Sequence, residues 1–403
     1  MLSPDRVDPD EAGLATDRLR RAEHAIDERI ARGEIPGAVA MIQRAGRTAW
    51  CYAAGLGNAA TGARIRADSI FRVYSMTKPL TSLAALVLSE EGLVDLSAPA
   101  GRYLPELAEL PVLDAEASTA RGALVTVPAR RPMTVYDLLR HTSGIVGGYH
   151  GSSVIGDAYR QAGIVAFDHN AGAYESSSAD LVTKLSRLPL AHQPGTVWEY
   201  GRSGDVLGRL LEVATGRPLD EILRTRVCGP AGMVDTGFHV PQGEAGRIVQ
   251  PLTTFVPGEL LIDLTERPRF LSGGSGCYGT AGDFLRFGRM VLDHGAVDGR
   301  QVLSARSVAL ATSDHLGSLS GSGPDYVPGE GYGFGLGFAV RTAAGGSPVL
   351  GSAGDLWWLG RAATSFLVDP AEELVAVLMT QRYWAAREYQ RWFKNLVYQA
   401  IVG

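Results

Sequence analysis

Apolar residues recur at two different spacings along the chain, and each spacing predicts one type of secondary structure. Three-to-four-residue spacing over residues 17–32 predicts an amphipathic helix that ends before Gly33. Apolar segments on either side of Ala45-Gly46 predict a strand pair at residues 37–43 and 48–55. Further predicted strands lie at residues 332–340, 349–351, 363–368 and 374–380, and a closing helix lies at 388–401. Both ends of the chain are therefore expected to contribute to one sheet.

Helical spacing dominates the middle of the chain. Thr134 is a predicted N-cap for a short helix that stops at Gly144. Other helices are predicted at residues 178–188, 205–215, 219–226 and 280–292. The pattern predicts an α+β fold, with an antiparallel sheet built from both chain ends, flanking helices and an inserted, mostly helical domain. The predicted sheet domain comprises residues 1–95 and 266–403, and the helical domain comprises residues 96–265.

One segment has two interpretations. Residues 146–174 are rich in glycine, with aromatic residues between the glycines. The segment is either a mobile wall over a pocket or a plain surface loop with one helical turn.

Composition narrows the class of protein. The 403 residues are 45% hydrophobic and 20% charged, which is typical of a soluble globular protein with two subdomains. A net charge of −5 without a basic run argues against nucleic acid as a partner. No apolar run is long enough for a membrane span, and the polar N-terminus resembles no signal peptide, so we expect a cytoplasmic protein without a membrane partner. The three cysteines and eight scattered histidines predict no metal site, and no cofactor is expected.

Ser75 and Lys78 are the first candidates for chemistry. The apolar spacing that follows predicts a helix from Ser75, and Pro79 is tolerable only in its first turn. The hydroxyl and the amine then lie on one face of that turn. Only three of the 38 basic residues are lysine, and an amine can lose a proton whereas a guanidinium effectively cannot. Spacing alone also fits a solvated lysine.

Several separated segments together resemble one known pattern. These segments are SMTK at 75–78, LLRHTSGI at 138–145, WEYGRSGDVLG at 198–208, GMVDTGF at 232–238, GYGFGLGF at 331–338, WLG at 358–360 and FLVDP at 366–370. With them the chain resembles the class C β-lactamase-like serine hydrolases, which include penicillin-binding peptidases, class C β-lactamases and the esterases called family VIII. The resemblance covers nearly the whole chain and implies a β-lactamase/transpeptidase-like fold.

The resemblance implies a role for each matching residue. Ser75 is expected to be the nucleophile, Lys78 to assist its deprotonation, and Tyr200 to be the partner acid/base. The backbone N–H groups of Ser75 and of Arg361, directly after Gly360, are expected to form the oxyanion hole. These groups supply an activated hydroxyl, a proton relay and two donors for the developing oxyanion.

The sequence departs from the β-lactamase pattern at two places. Trp358 and Leu359 stand where β-lactamases have the Lys-Thr pair that helps hold the substrate carboxylate, and family VIII esterases resemble this chain there. Which of Trp357 and Trp358 faces the pocket depends on strand register. Arg202 stands where the family often has Asn, and it either binds substrate or is solvent-facing or ion-paired. His141 is a disfavoured base, because HTSG is a structural turn in this family.

We therefore expect a metal-free serine hydrolase that forms an acyl-enzyme, most simply a carboxylesterase acting on small uncharged acyl esters. Two alternatives use the same site: an amidase, peptidase or β-lactamase, and an acyltransferase. A third alternative is a binding protein that has lost catalysis. The expected partner is a small-molecule ester or amide, and the sequence does not define the oligomeric state.

Overall fold

The computed structural model describes residues 6–147, 153–164, 175–252, 261–317, 319 and 326–402. The α-helices are α1 Thr16–Ala31, α2 Thr77–Glu90, α3 Ala115–Arg121, α4 Val135–Leu139, α5 Val154–Gln161, α6 Ser178–Leu185, α7 Ser203–Thr215, α8 Leu219–Leu223, α9 Ala281–Leu292, α10 Ala305–Ala311 and α11 Ala386–Tyr398. The strands are β1 Gly37–Arg44, β2 Arg47–Asn58, β3 Ala63–Arg64, β4 Phe71–Arg72, β5 Val112–Leu113, β6 Thr126–Val127, β7 Tyr278–Gly279, β8 Ala296–Val297, β9 Arg300–Gln301, β10 Tyr332–Phe334, β11 Ala339–Arg341, β12 Leu356–Leu359, β13 Ser365–Asp369 and β14 Leu374–Met379.

One antiparallel sheet of eight strands has the order β10-β11-β12-β13-β14-β1-β2-β3. The first strand of the chain pairs with the last, with Val39 opposite Met379 and Arg44 opposite Leu374. Strand β14 is buried along its whole length, which explains its unbroken apolar sequence. Helix α9 packs on β1, β13 and β14, whereas α1 and α11 pack on each other and on other parts of the sheet. The predicted α+β class, with a sheet built from both chain ends, is confirmed.

Two strand predictions near the C-terminal end are wrong. The segment predicted as one strand at 332–340 is a hairpin of β10 and β11, because Gly337 has a φ of +97° that breaks the extended backbone. Residues 349–351 form no strand. The carbonyl of Val349 instead accepts a hydrogen bond from Arg341, and the N–H of Leu350 donates to Asn395.

Strand β12 takes the place expected for residues 349–351, between β11 and β13. Its sequence, Leu-Trp-Trp-Leu, is buried on both faces and shows no alternation. Helix α4 is shorter than predicted, because His141 has a φ of +56° shortly after its last turn. Its predicted cap is confirmed, since Thr134 and Asp137 form a reciprocal capping box.

Two expectations remain open. Most of the segment 146–174 lies outside the described residues, although α5 falls within it. The division into domains at residues 95/96 and 265/266 stays a prediction, because the order of the elements alone does not define independent folding units.

Candidate active site

Ser75 lies in a 3₁₀ turn, Tyr74–Met76, that runs directly into α2. Tyr74 has a φ of +46°, which is uncommon for a residue other than glycine and turns the chain sharply before Ser75. The hydroxyl of Thr77 donates to the Tyr74 carbonyl at 2.7 Å and accepts from the backbone N–H of Cys277 at 3.0 Å. These bonds fix the turn to the strand segment beside it.

Ser75, Lys78 and Tyr200 lie together, although Tyr200 is 125 residues from Ser75. The Tyr200 hydroxyl donates to the Ser75 Oγ at 2.7 Å. The Lys78 Nζ donates to the same oxygen at 3.2 Å and lies 4.5 Å from the centroid of the Tyr200 ring. Lys78 is only 6% exposed. An amine withdrawn from water beside a hydroxyl and a phenol is the arrangement that proton exchange requires.

The Lys78 amine has a further partner, which the sequence did not reveal. Its Nζ donates to the carbonyl of Gly274 at 2.8 Å. The N–H of Gly274 in turn donates to Asp205 Oδ1 at 3.0 Å, and the Ser272 hydroxyl donates to the same carboxylate oxygen at 2.5 Å. Asp205 therefore holds the segment that orients Lys78.

Arg202 stabilises Asp205 and is almost completely buried, with 1% of its surface exposed. Its Nη1 lies 3.2 Å from Asp205 Oδ2, and its Nη2 donates to the carbonyl of Ile164 at 2.9 Å. Among the alternatives left open for this residue, the geometry is that of an ion pair. Three-residue spacing between an arginine and an aspartate at a helix start was the available sequence sign of this pair.

Trp358 contacts the Tyr200 ring, with centroids 5.9 Å apart, and packs edge-on against Phe334 at 5.3 Å. The neighbouring indole of Trp357 packs instead on Tyr332. Trp358 is therefore the tryptophan on the Tyr200 side. It has no exposed surface, so its contact with Tyr200 is the interaction through which it acts on the site.

The turn after β12 lies against the chain that precedes Ser75. The N–H of Gly360 donates to the Thr364 carbonyl at 2.8 Å. A Cβ at position 360 would lie 2.3 Å from the Val73 carbonyl oxygen, so only glycine fits there. Arg361 follows and is close enough to act electrostatically on Tyr74, whose phenol pKa burial raises. Its place in the oxyanion hole stays a prediction.

His141 lies among aromatic rings, 5.2 Å from that of Tyr200 and 5.6 Å from those of Trp198 and Phe334. Burial and the nearby charge of Lys78 lower its pKa to about 3. Its Nδ1 is buried and makes no hydrogen bond with a described residue. These contacts pack the imidazole beneath the tyrosine and do not connect it to the Ser75 hydroxyl.

The described part of the chain contains no group of three metal-binding side chains. No helix within that part is long and apolar enough to cross a membrane.

Comparisons of the sequence and of the structure with known proteins agree on one family. The family model described as Beta-lactamase matches residues 22–399. Esterase EstB of Burkholderia gladioli is 32% identical over 407 residues, covering 94% of this chain and 93% of EstB. Protein Rv1367c of Mycobacterium tuberculosis is 35% identical over 364 residues, covering 87% of this chain and 86% of that protein. The structure of EstCE1, described as a hydrolase with promiscuous acyltransferase activity, has a TM-score of 0.78 at 24% identity, over 94% of this chain and 98% of EstCE1, which shows the shared fold.

Proposed function

Because the chain belongs to the beta-lactamase family, we propose that it is a carboxylesterase that hydrolyses small uncharged acyl esters through an acyl-enzyme on Ser75. The observation that carries the proposal is the pair of hydrogen bonds to the Ser75 Oγ, one from Tyr200 and one from the buried Lys78. The similarity to an esterase over nearly the whole chain supports the same reaction class.

The reaction proceeds in two balanced steps. In the first, the Ser75 Oγ attacks the ester carbonyl carbon while its proton passes to the Lys78–Tyr200 pair. The C–O bond to the alcohol then breaks, and the departing alkoxide takes that proton. In the second step, water gives a proton to the same pair and attacks the acyl carbon, which releases the acid and restores the Ser75 hydroxyl. The backbone N–H groups of Ser75 and Arg361 stabilise the oxyanion in both steps.

The side chains near Tyr200 favour a substrate without a charge. The indole of Trp358 stands at the position where the β-lactamase pattern has a lysine, and it carries no positive charge to pair with a carboxylate. Arg202, two residues after Tyr200, is buried in its ion pair with Asp205. A substrate carboxylate beside Trp358 would lose its hydration without the cation that the lysine supplies in β-lactamases, at a cost of roughly 1–3 kcal/mol or more.

Acyl transfer is the second candidate. EstCE1, which shares the fold, is described as a hydrolase with promiscuous acyltransferase activity. An alcohol would replace water in the second step, and the same three side chains would move the same protons. Product analysis with and without an added alcohol separates the two outcomes.

The assignment of the nucleophile and base is tested by labelling with a phosphonate. Ser75→Ala should abolish labelling and should lower kcat for p-nitrophenyl butyrate by several orders of magnitude, on the order of the 10⁶-fold loss seen for serine nucleophiles.

Lys78→Arg keeps the charge but cannot give up a proton, so its kcat should fall at least about 1,000-fold. Intact mass and steady-state rates measure both. A labelled Ser75→Ala protein, or a Lys78→Arg protein with most of its kcat, contradicts the assignment.

Substrate class is tested by comparing kcat/KM for p-nitrophenyl butyrate with that for the lactam nitrocefin. We expect the ester to be preferred at least about 100-fold, which corresponds to the desolvation cost above. Trp358→Phe keeps an apolar ring beside Tyr200 and should retain the preference. Efficient nitrocefin hydrolysis by the unaltered protein would overturn the esterase proposal while leaving the Ser75 assignment intact.

A further inference from the structure

A cavity of about 960 Å³ lies apart from the candidate active site. Its walls come from residues 41–48 of the β1–β2 hairpin, the loop around residues 66–68, residues 232–235, helix α9 with the residue on either side of it, and residues 297–298 at β8. None of the seven residues assigned to the candidate active site lines it. The volume is in the range of cavities that hold small organic molecules. Apolar lining residues are Met41, Ala67, Val234, Leu285 and Val297.

The charged groups of this cavity are paired, with one exception. Each lining guanidinium contacts a carboxylate, and the lining carboxylate of Asp235 contacts Arg247 from outside the cavity. These ion pairs are Arg66–Asp68, Arg286–Asp298, Arg289–Asp293 and Arg247–Asp235. Asp283 is the one lining carboxylate that forms no salt bridge with a described residue. Uncompensated buried charge is costly, so this carboxylate is an exception to explain.

Asp283 is only 5% exposed. Its Oδ2 accepts hydrogen bonds from the Thr236 hydroxyl at 2.7 Å and the Asp235 N–H at 2.9 Å, whereas its Oδ1 accepts none from a described residue. Burial is the main cause that raises the pKa of this carboxyl to about 6. At neutral pH the group is therefore an anion with one unused oxygen. The charge of Arg286 acts on it from a distance, but Arg286 forms its salt bridge with Asp298.

A second unused acceptor lines the same cavity. The Oε1 of Gln43, on β1, is buried and makes no hydrogen bond with a described residue. Buried polar atoms are normally hydrogen-bonded, so the unpaired Gln43 oxygen on the cavity that Asp283 also lines indicates that a donor is supplied from outside the chain.

We propose that this cavity binds a small organic ammonium ion with an apolar tail. The ammonium group would pair with Asp283 and donate to Gln43, and the tail would lie on the apolar wall formed by residues such as Met41 and Leu285. An ammonium carries three donors and the one charge that the cavity lacks. The proposal is independent of the reaction at Ser75.

The test uses n-butylammonium as the probe, measured by isothermal titration calorimetry on the full chain. The Ser75→Ala variant serves as the background, so that the amine cannot be acylated. We expect saturable binding of n-butylammonium and at least tenfold weaker binding of n-butanol, which has the same tail without the charge. Absence of saturable binding up to 20 mM overturns the proposal.

Two variants locate the bound probe. Asp283→Asn keeps an acceptor for Thr236 but removes the charge, and should weaken binding at least tenfold. Asp293→Asn alters a lining carboxylate that is already paired with Arg289, and should leave binding within about threefold. Gln43→Leu, which leaves Asp283 untouched, should weaken binding several-fold and serves if Asp283→Asn does not fold. Equal binding by the unaltered cavity and by Asp283→Asn or Gln43→Leu would overturn the assignment.

Binding should also weaken as pH falls through about 6, because protonation removes the charge on Asp283. The other ionisable groups that act on this carboxyl are Asp235, Arg286, Cys228 and Tyr278. Asp235 is held by Arg247, and burial raises the pKa of both the Cys228 thiol and the Tyr278 phenol. Asp283 is thus the group of this set that titrates near pH 6. Affinity that is constant between pH 7.5 and 5 contradicts the proposed contact.

Discussion

Arg202 and Asp205 are each almost completely removed from water, at 1% and 3% exposure. Loss of Arg202 therefore leaves the buried Asp205 carboxylate without its ion-pair partner. Asp205 also accepts a hydrogen bond from the N–H of Gly274, and the carbonyl of Gly274 accepts one from the Lys78 amine. The Arg202–Asp205 pair therefore helps to fix the position of Lys78, the proposed base. Arg202 thus acts on the site through two intervening residues.

Arg202→Ala should lower the free energy of unfolding by about 3–5 kcal/mol, the usual cost of breaking a buried pair. It should also lower kcat for p-nitrophenyl butyrate, because Lys78 loses its orientation. Urea denaturation measures the first effect. Arg217→Ala is the matched control, since Arg217 is largely exposed and its partner Glu221 is partly exposed, and it should cost about 0–1 kcal/mol. A stable Arg202→Ala protein that loses only affinity for anionic substrates would show a direct substrate role for Arg202.

At the residue scale, the sequence predicted Ser75, Lys78 and Tyr200, which the structure brings into hydrogen-bonding distance, although their roles stay predictions. These residues stand in short motifs with fixed spacing. Asp205 and Gly274 were not predicted, because their contacts join segments 69 and 196 residues apart through backbone groups, which leave no side-chain pattern.

At the scale of elements, the turn that follows β12 connects the sheet to the nucleophile. Gly360 fits under the Val73 carbonyl, and the N–H of Arg382 donates to the Ala362 carbonyl at 2.9 Å. The turn is therefore held from both sides. Any displacement of it would move the N–H of Arg361 relative to Ser75.

Gly360→Ala should reduce kcat for p-nitrophenyl butyrate by roughly 100-fold or more, because loss of one oxyanion-hole donor costs about that much. The control is Gly345→Ala, whose added methyl group would meet no atom within 4 Å. Steady-state kinetics compare the two variants, and thermal melting confirms that both fold. Full activity in a folded Gly360→Ala protein would remove Arg361 from the proposed oxyanion hole.

The element predictions that were wrong share a cause. Assignment from the spacing of apolar residues fails in two places. It does not detect the positive φ of Gly337, and it does not identify residues 356–359 as a strand, because their apolar run does not alternate. Helix α1 was predicted closely, because its buried residues lie on one face at helical spacing. Helix α2 is buried all round and was predicted from its apolar spacing and from Pro79, and the β1–β2 pair from the turn at Ala45-Gly46.

At the scale of the whole molecule, two buried groups give opposite pH dependences of stability. In the folded protein the pKa of His141 is about 3, below the ordinary value of 6.5. Between these values the unfolded chain binds a proton that the folded protein does not, so the free energy of unfolding decreases as pH falls below 6.5. The pKa of Asp283 is about 6 in the folded protein, above the ordinary 3.8. Between these values the folded protein holds a proton that the unfolded chain does not, so the free energy of unfolding decreases as pH rises from about 4 to 6. Between pH 6 and 4.5 the two effects largely cancel.

Single variants should reveal each effect by urea denaturation. His141→Asn tolerates the positive φ, and relative to the unaltered protein it should gain about 2 kcal/mol between pH 6 and pH 4.5. Asp283→Asn should lose about 2 kcal/mol over the same interval. A parallel pH dependence in all three proteins would show that neither group titrates as described.

The general form of the sheet could be predicted because apolar segments bounded by turns mark strands at both ends of the chain, although these strands are buried on both faces and do not alternate. The 960 Å³ cavity could not be predicted, because its walls come from five separated segments whose proximity no sequence pattern indicates. Its unpaired carboxylate is recognisable only once the neighbouring ion pairs are known.

The pairing of β1 with β14 has a consequence for protein synthesis. A ribosome releases the chain from its N-terminal end, so β1 leaves the exit tunnel more than 300 residues before the strand that covers its other edge. During that interval Ser75 and Lys78 are already outside, whereas the turn at Gly360 and Arg361 does not yet exist. The nascent chain therefore has an apolar strand with one open edge, which is a surface that chaperones bind and that aggregation exploits. Enzymatic competence must consequently arise late, after almost the entire polypeptide has been translated.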